Sequence, residues 1–389
     1  MLSCFLGVSP LNKLLRCLSI IFNLTFLMPL MTFINSINHY RALAIVLIVS
    51  AHAFDISLVT IDTFFESVIK NLISGGTINF VFISGFLFYT VFYHRFDFKK
   101  FLNNKVKRLL LPYLFLSVVP IFLYLYAKPD FWEVSILNYD LTQGSVAHYF
   151  ISIFKFLISG AHMVAYWYIP FAMLLFLFSP LHVKFIELKL NYQVFIVSGL
   201  LLIALFVHRP HEKIRAYQVI HSLFYFMPVY LLGILCAQQR NNIYKMLKNK
   251  ELVLLGAVLG LAVFQSYLGY VGNYHYDIDK IDGSIDLILL QKIIMCFFFM
   301  VWLNRFEDRK HPWIDTLAKF SFPIFFLHAY VLNFLFVIHD HFKHYITSPW
   351  LAYLFFTFLL VAFSIVLAKI TTRLFPKYAF MLIGYGSKK

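Results

Sequence analysis

ALAIVLIVSAHAFDISLVT, residues 42 to 60, is an apolar run in which His52 and Asp55 are the only strongly polar side chains, and Arg41 stands directly before it. The run is long enough to cross the hydrocarbon layer as a helix. An ionisable group at bilayer depth is costly, so by default it marks function rather than filler. His52 lies eleven positions after Arg41. On an α-helix this spacing is about three turns plus roughly 20°, which puts both side chains on one face about 16 Å apart along the axis. The reading places Arg41 at the membrane edge and His52 toward the middle. Taken alone, the pair admits two accounts. Arg41 is either a topogenic anchor or a partner for an anion, and His52 either a hydrogen-bonded packing residue or a base.

The rest of the chain has the same character. Of 389 residues, 61% are hydrophobic and 13% charged, with 47 phenylalanines; that charged fraction is about half the usual share for a soluble domain. Apolar segments of spanning length recur throughout, so the sequence predicts an all-α polytopic membrane protein. The net charge of +15 does not point to nucleic acid, because the basic residues fall in loops, where membrane proteins collect them on the cytoplasmic side. Cys4, Cys17, Cys236 and Cys296 have no paired spacing and read as small apolar fillers. His339, His341 and His344 are spaced too loosely to be read as a metal site, and no metal is expected.

About ten transmembrane helices are predicted, at 42–60, 68–93, 109–127, 162–182, 192–207, 218–237, 250–269, 285–303, 320–338 and 350–369. The connection from His94 to Arg108 holds Arg95, Lys99, Lys100, Lys105, Lys107 and Arg108 against Asp97, which places it in the cytoplasm. Counting outward, the loops around Lys184, Lys245 and Lys310 also fall inside, and both termini are cytoplasmic. The opposite loops carry Asp130, Glu133, Asp140, Asp277, Asp279 and Asp282. One loop departs from the alternation: His208 to Arg215 is basic, with Arg209, Lys213 and Arg215, yet the count puts it outside. It reads either as a tolerated short loop or as a cationic patch facing an anionic acceptor. Residues 1–33 form a leader, either a start-site extension or an interfacial helix. A transmembrane domain then runs from 34 to 378, and a cytoplasmic tail from 379 to 389.

Several side chains can carry chemistry. Neutral imidazole at His52 can accept a proton, and Asp55, three residues on, is adjacent on a helix surface and is the candidate orienter. Arg41 stays cationic and suits phosphate or carboxylate. Ser84 and Gly85 allow close helix approach, here expected between the first two helices and around His52. Lys105 and Arg108 form a basic mouth that suits either anionic lipid or the phosphates of a nucleotide-like donor. Trp167 fits an interfacial belt or a sugar platform. His328, in FSFPIFFLHAYVL, is a second intramembrane ionisable group.

Taken together and in order, five segments resemble acyltransferase family 3, membrane enzymes that O-acylate bacterial surface polysaccharides. They are SINHYRALAIVLIVSAH with its Arg, ten residues, His spacing, then FVFISGFLF, FLNNKVKRLLLPYL, FYFMPVYLLGILCA and LAKFSFPIFFLHAYVL. The resemblance spans roughly Phe33 to Tyr378. It implies that His52 is catalytic and that Arg41, Lys105 and Arg108 meet acyl-CoA; on the residues alone, Asp55 either orients His52 or faces the external loop, and Ser84, Gly85, Trp167 and His328 are read as shaping the site. The implied co-substrate is acyl-CoA, acetyl-CoA before others, with no permanently bound cofactor. The implied acceptor is a hydroxyl of lipopolysaccharide, exopolysaccharide or a lipid-linked glycan. Membrane lipids and polysaccharide-synthesis proteins are the further partners, and the expected place is the bacterial inner membrane. The chain also resembles the intercellular adhesin protein C group, described as polysaccharide exporters, in which the same His and Arg would line a translocation path.

Overall fold

The computed structural model describes residues 34–132, 145–209, 218–273 and 284–386, with the backbone of 135–136 and 139–140. The leader at 1–33, Cys4, Cys17, most of the acidic loop positions and Lys213 and Arg215 lie outside the described residues. In chain order the helices are α1 (Asn35–His52), α2 (Phe64–Ile73), α3 (Gly76–Leu87), α4 (Phe98–Lys105), α5 (Leu111–Ala127), α6 (Val146–Ser159), α7 (Tyr168–Leu177), α8 (Ser179–Glu187) and α9 (Leu190–Val207). They continue as α10 (Gln218–Gln238), α11 (Arg240–Met246), α12 (Glu251–Tyr267), α13 (Leu287–Asn304), α14 (Pro312–Lys319), α15 (Ser321–Val337), α16 (His339–Phe342), α17 (Pro349–Leu374) and α18 (Ala379–Leu382). Two-residue strands, Ser135–Ile136 and Tyr139–Asp140, pair antiparallel beside them.

The protein is an all-α polytopic membrane protein. Among the described residues six helical stretches are long and apolar enough to cross a membrane: Phe64–Arg95, Phe98–Ala127, Leu190–Val207, Gln218–Gln238, Leu287–Asn304 and Pro349–Leu374. Two bent pairs raise the number to as many as eight, α7 with α8 at 55° and α14 with α15 at 72°. Of the ten expected segments, 42–60 (in α1) and 250–269 are not among these stretches, and 162–182 and 320–338 enter only as bent pairs. The segment at 162–182 begins only at Tyr168 and breaks at Phe178, the segment at 320–338 starts at the α14–α15 bend, and 250–269 is the shorter apolar helix α12. Hydropathy averages over such breaks, because a bend buried in protein leaves composition unchanged. Another short apolar helix, α6, lies where no span is expected.

Two π-turns interrupt the Phe64–Arg95 and Phe98–Ala127 stretches, Phe88–Phe92 after α3 and Val106–Leu110 between α4 and α5. Single π-turns of this kind concentrate at functional sites. Helices α3 and α10 make the tightest crossing: a Cβ at Gly85 would stand 1.9 Å from the Tyr230 carbonyl oxygen, and one at Gly233 2.1 Å from that of Phe82. Gly85 thus brings α3 against α10, not against α1 as the sequence suggests. Gly76 makes the approach to α1, where a Cβ would lie 3.2 Å from the Leu47 backbone.

Long-range polar contacts close the helix ends. The backbone N–H groups of Asn35 and Ser36 donate to the Glu307 carboxylate at 2.7 and 2.9 Å, so the first turn of α1 is capped by a distant residue. The helix therefore starts earlier than its apolar run. Thr63 and Glu66 form a reciprocal capping box on α2, and Trp350 donates its indole N–H to Glu66 at 2.9 Å. At the other end of α2, the buried Lys292 ammonium donates to the carbonyls of Asn71 and Leu72 at 3.0 and 2.8 Å. Lys292→Met is expected to lower the thermal midpoint in detergent, since an orphaned buried carbonyl costs about 1–3 kcal/mol. An unchanged melting curve would remove Lys292 from the list of structural contacts.

These contacts sort the loops to two ends of the bundle. One end joins Asn35 to Glu307, Arg305 to Glu251 in a two-pronged contact at 2.8 Å, and Arg41 to Ala318. The opposite end holds Trp350 on Glu66, and Asp286 receiving the Tyr225 hydroxyl at 2.8 Å. Cys236 and Cys296 are free and buried, in keeping with their reading as fillers.

Candidate active site

The first helix stops at His52, its last residue, and a single 3-10 turn at Asp55–Ser57 follows. The expectation of a helix running on to residue 60 is corrected. Ala53, Phe54, Ile56 and Ser57 are buried, which is the setting in which non-helical backbone is tolerated at membrane depth. The Ser57 hydroxyl donates toward the carbonyls of Ala53 at 2.7 Å and Phe54 at 2.8 Å, giving the interrupted chain local acceptor partners. Leu58 then turns the chain with φ +57°.

Asp55 is thereby taken off the helix surface it was expected to share with His52. Its side chain is exposed, and it makes no hydrogen bond to His52 among the described residues. The group that does face His52 is His328. Their rings stack with centroids 5.6 Å apart and planes inclined at 27°. His328 is fully buried near the middle of α15, and its Nδ1 lies 2.8 Å from the Ile324 carbonyl oxygen. A carbonyl only accepts, so Nδ1 carries the hydrogen. Neutral His328 therefore presents an unprotonated Nε2, buried and without a hydrogen-bond partner. His52 itself is partly accessible.

Arg41 holds the pair's scaffold. Its Nε and Nη2 donate to the Ala318 carbonyl at 3.1 and 2.7 Å, in the last turn of α14 just before the 72° bend into α15. A cation at a helix C-terminus is favourable, and here it fixes the bend from which His328 projects two turns later. Arg41→Ala is expected to lower the thermal midpoint measurably, charge-assisted hydrogen bonds being worth about 1.5–3 kcal/mol. A wild-type melting curve would show that the bend does not depend on this contact.

Two cations, Lys70 and Arg209, lie close enough for their charges to act on His52. The Lys70 ammonium sits 3.5 Å from the Phe54 ring centroid. The Arg209 guanidinium lies 5.0 Å from the Trp167 centroid and 6.0 Å from that of Phe226. Trp167 is stacked on Phe226 at 5.5 Å and 25°, so one of its faces is already covered and it serves as a seat for Arg209.

The remaining expected residues sit elsewhere. Ser84 turns its hydroxyl back to the Phe80 carbonyl at 2.9 Å. Gly85 packs on α10, as described above. Lys105 points into an aromatic cage, 4.6 Å from Phe92, 5.1 Å from Phe101 and 4.5 Å from Phe176. Arg108 is exposed on the second π-turn, so of the two it is the side chain open to an incoming phosphate. The C-terminal turn reaches the same region: a Cβ at Gly384 would lie 2.7 Å from the Arg108 carbonyl oxygen. Tyr385 packs on Phe320 at 4.7 Å and under the Lys319 ammonium at 5.9 Å. Arg108, Lys319 and Arg41 thus share the basic end, with the histidine pair deeper in the bundle.

The Arg209 position is what residue-by-residue reading placed least well. Its signal was present, in the basic loop that breaks the charge alternation. Nothing in the local sequence says that a loop arginine folds inward onto Trp167.

A family model described as an acyltransferase domain matches residues 34–369, which includes Arg41, His52, Arg108, Arg209 and His328. Comparison with curated proteins and with solved structures found no match.

Proposed function

The chain belongs to acyltransferase family 3, and from that premise we propose that it moves an acyl group, acetyl before others, from acyl-CoA to a hydroxyl of a cell-surface or lipid-linked glycan. The observation that supports this reading most is the stack of partly accessible His52 on buried His328, which lies beyond the basic end yet within the same bundle. Acyl-CoA is taken to enter at Arg108, Lys319 and Arg41, with its phosphates on the exposed arginine, and the thioester extends toward His52. This end faces the cytoplasm of a bacterial cell and the protein lies in its inner membrane, consistent with the sorting of basic loops.

In the reaction, the glycan hydroxyl oxygen attacks the thioester carbonyl carbon while His52 takes the hydroxyl proton. The tetrahedral intermediate collapses, the carbon–sulfur bond breaks, and His52 returns the proton to the leaving thiolate. Ester and CoA thiol are the products. His328, fully buried and held by its Nδ1–H on the Ile324 carbonyl, gives the transient imidazolium on His52 a π face to stack on.

The test is the ester content of the host's surface glycan, by mass spectrometry, in a deletion strain complemented with wild type or His52→Ala at matched membrane levels. Esters restored by wild type and not by His52→Ala are the expected result. Unchanged esters with less polymer at the surface would overturn acyl transfer in favour of export.

A further inference from the structure

We infer that Arg209, seated on Trp167 and Phe226 beside His52, is an acceptor-recognition residue for a sugar that carries an anionic group, a carboxylate or a phosphate. This rests on the acyl-transfer reading and adds the acceptor's chemical class to it. The guanidinium lies 5.0 and 6.0 Å from the two ring centroids. Among the described residues it makes no hydrogen bond and no ion pair. A guanidinium carries five donors in a rigid fork, and half-burying such a cation with no anion bonded to it is costly. Ring stacking offsets part of that cost but satisfies none of the N–H groups.

The nearby carboxylate does not answer the need. Asp286 accepts the Tyr225 hydroxyl on one oxygen and the Leu289 backbone N–H on the other, each at 2.8 Å, so it serves as the N-cap of α13. Its charge tempers that of Arg209 without a direct bond. The other cation near His52, Lys70, is occupied by Phe54 at 3.5 Å and by the field of Asp55. Lys70 is a point charge, so among these two cations Arg209 is the one that offers a planar fork of unbonded donors. A planar fork matches a carboxylate or phosphate two bonds at a time, and an anion bound there would set a neighbouring sugar hydroxyl toward His52.

The experiment is thermal unfolding of the full chain in detergent, at constant ionic strength, with methyl glucuronide, glucose 1-phosphate or methyl glucoside as probe. Ligands that bind only the folded state raise the midpoint. One of the two anionic sugars is expected to stabilise wild type where methyl glucoside does not, and which of them acts identifies carboxylate or phosphate. Arg209→Gln is expected to weaken that sugar by about tenfold or more, the loss of charge-assisted bonds. Arg209→Lys, which keeps the charge and can still sit on the rings, should weaken it less and guards against a glutamine variant that fails to fold. Equal stabilisation by the neutral sugar, no stabilisation by either anionic one, or full response in Arg209→Gln would overturn the inference. Because the readout is binding, such a result leaves acyl transfer standing. Intact anionic-sugar binding in a protein that adds no ester would instead sink the acyl-transfer reading.

Discussion

Replacing His52 with alanine is expected to lower acyl transfer by about 10²–10⁴-fold, the range for loss of a positioned general base, with the folded protein retained. The structure favours retention because His52 is the last residue of α1 and makes no side-chain hydrogen bond among the described residues. The assay is release of CoA thiol from acyl-CoA by purified protein with acceptor present, alongside a melting curve. Full activity in a well-folded His52→Ala protein would remove His52 from the chemistry. Asp55→Asn should change the rate little, since Asp55 is exposed and not bonded to His52. His328→Ala should reduce rate and stability together, because it empties a fully buried position that donates to Ile324. The same preparation separates two roles for His52. An acyl carrier would release one equivalent of thiol before acceptor is added, whereas a general base would release none.

The second large effect is on folding. Gly85→Ala is expected to abolish most folded protein, because the added Cβ would sit 1.9 Å from the Tyr230 carbonyl oxygen. Both atoms belong to helix backbones, so no side-chain rotation relieves the contact and α3 must move off α10. Overpacking of a tight core commonly costs about 1–3 kcal/mol and sometimes more, and a backbone-to-backbone clash lies at the upper end. Gly233→Ala meets the Phe82 carbonyl at 2.1 Å and should behave alike. Gly256→Ala, in α12 with nothing within 4 Å of its Cβ, is the control and should be neutral or slightly stabilising, alanine being about 1 kcal/mol the better helix residue. Size-exclusion profiles of detergent extracts read all three. Monodisperse Gly85→Ala at wild-type yield would show that the crossing tolerates separation.

The membrane class, the approximate placement of the long spans and the pairing of Arg41 with His52 on one helix were legible in the sequence. Each depends on hydropathy or on spacing within a single helix, and both are local properties of the chain. The acyltransferase resemblance was legible for the same reason, since its segments are short and ordered. Tertiary structure decided the rest. That α1 ends at His52 depends on a buried turn whose neighbours come from other helices, and hydropathy cannot separate a buried turn from a continuing span. Asp55 lost its expected place for that reason. His328 became the partner of His52 through the 72° bend at Phe320 and the Arg41 contact to Ala318, across more than 270 residues of sequence. Gly85 announced close packing, but only the fold named α10 as the partner. Arg209 announced a misplaced charge, but only the fold carried it onto Trp167 and toward His52. Local composition sets which segments enter the membrane; which side chains meet inside it follows from how those segments cross.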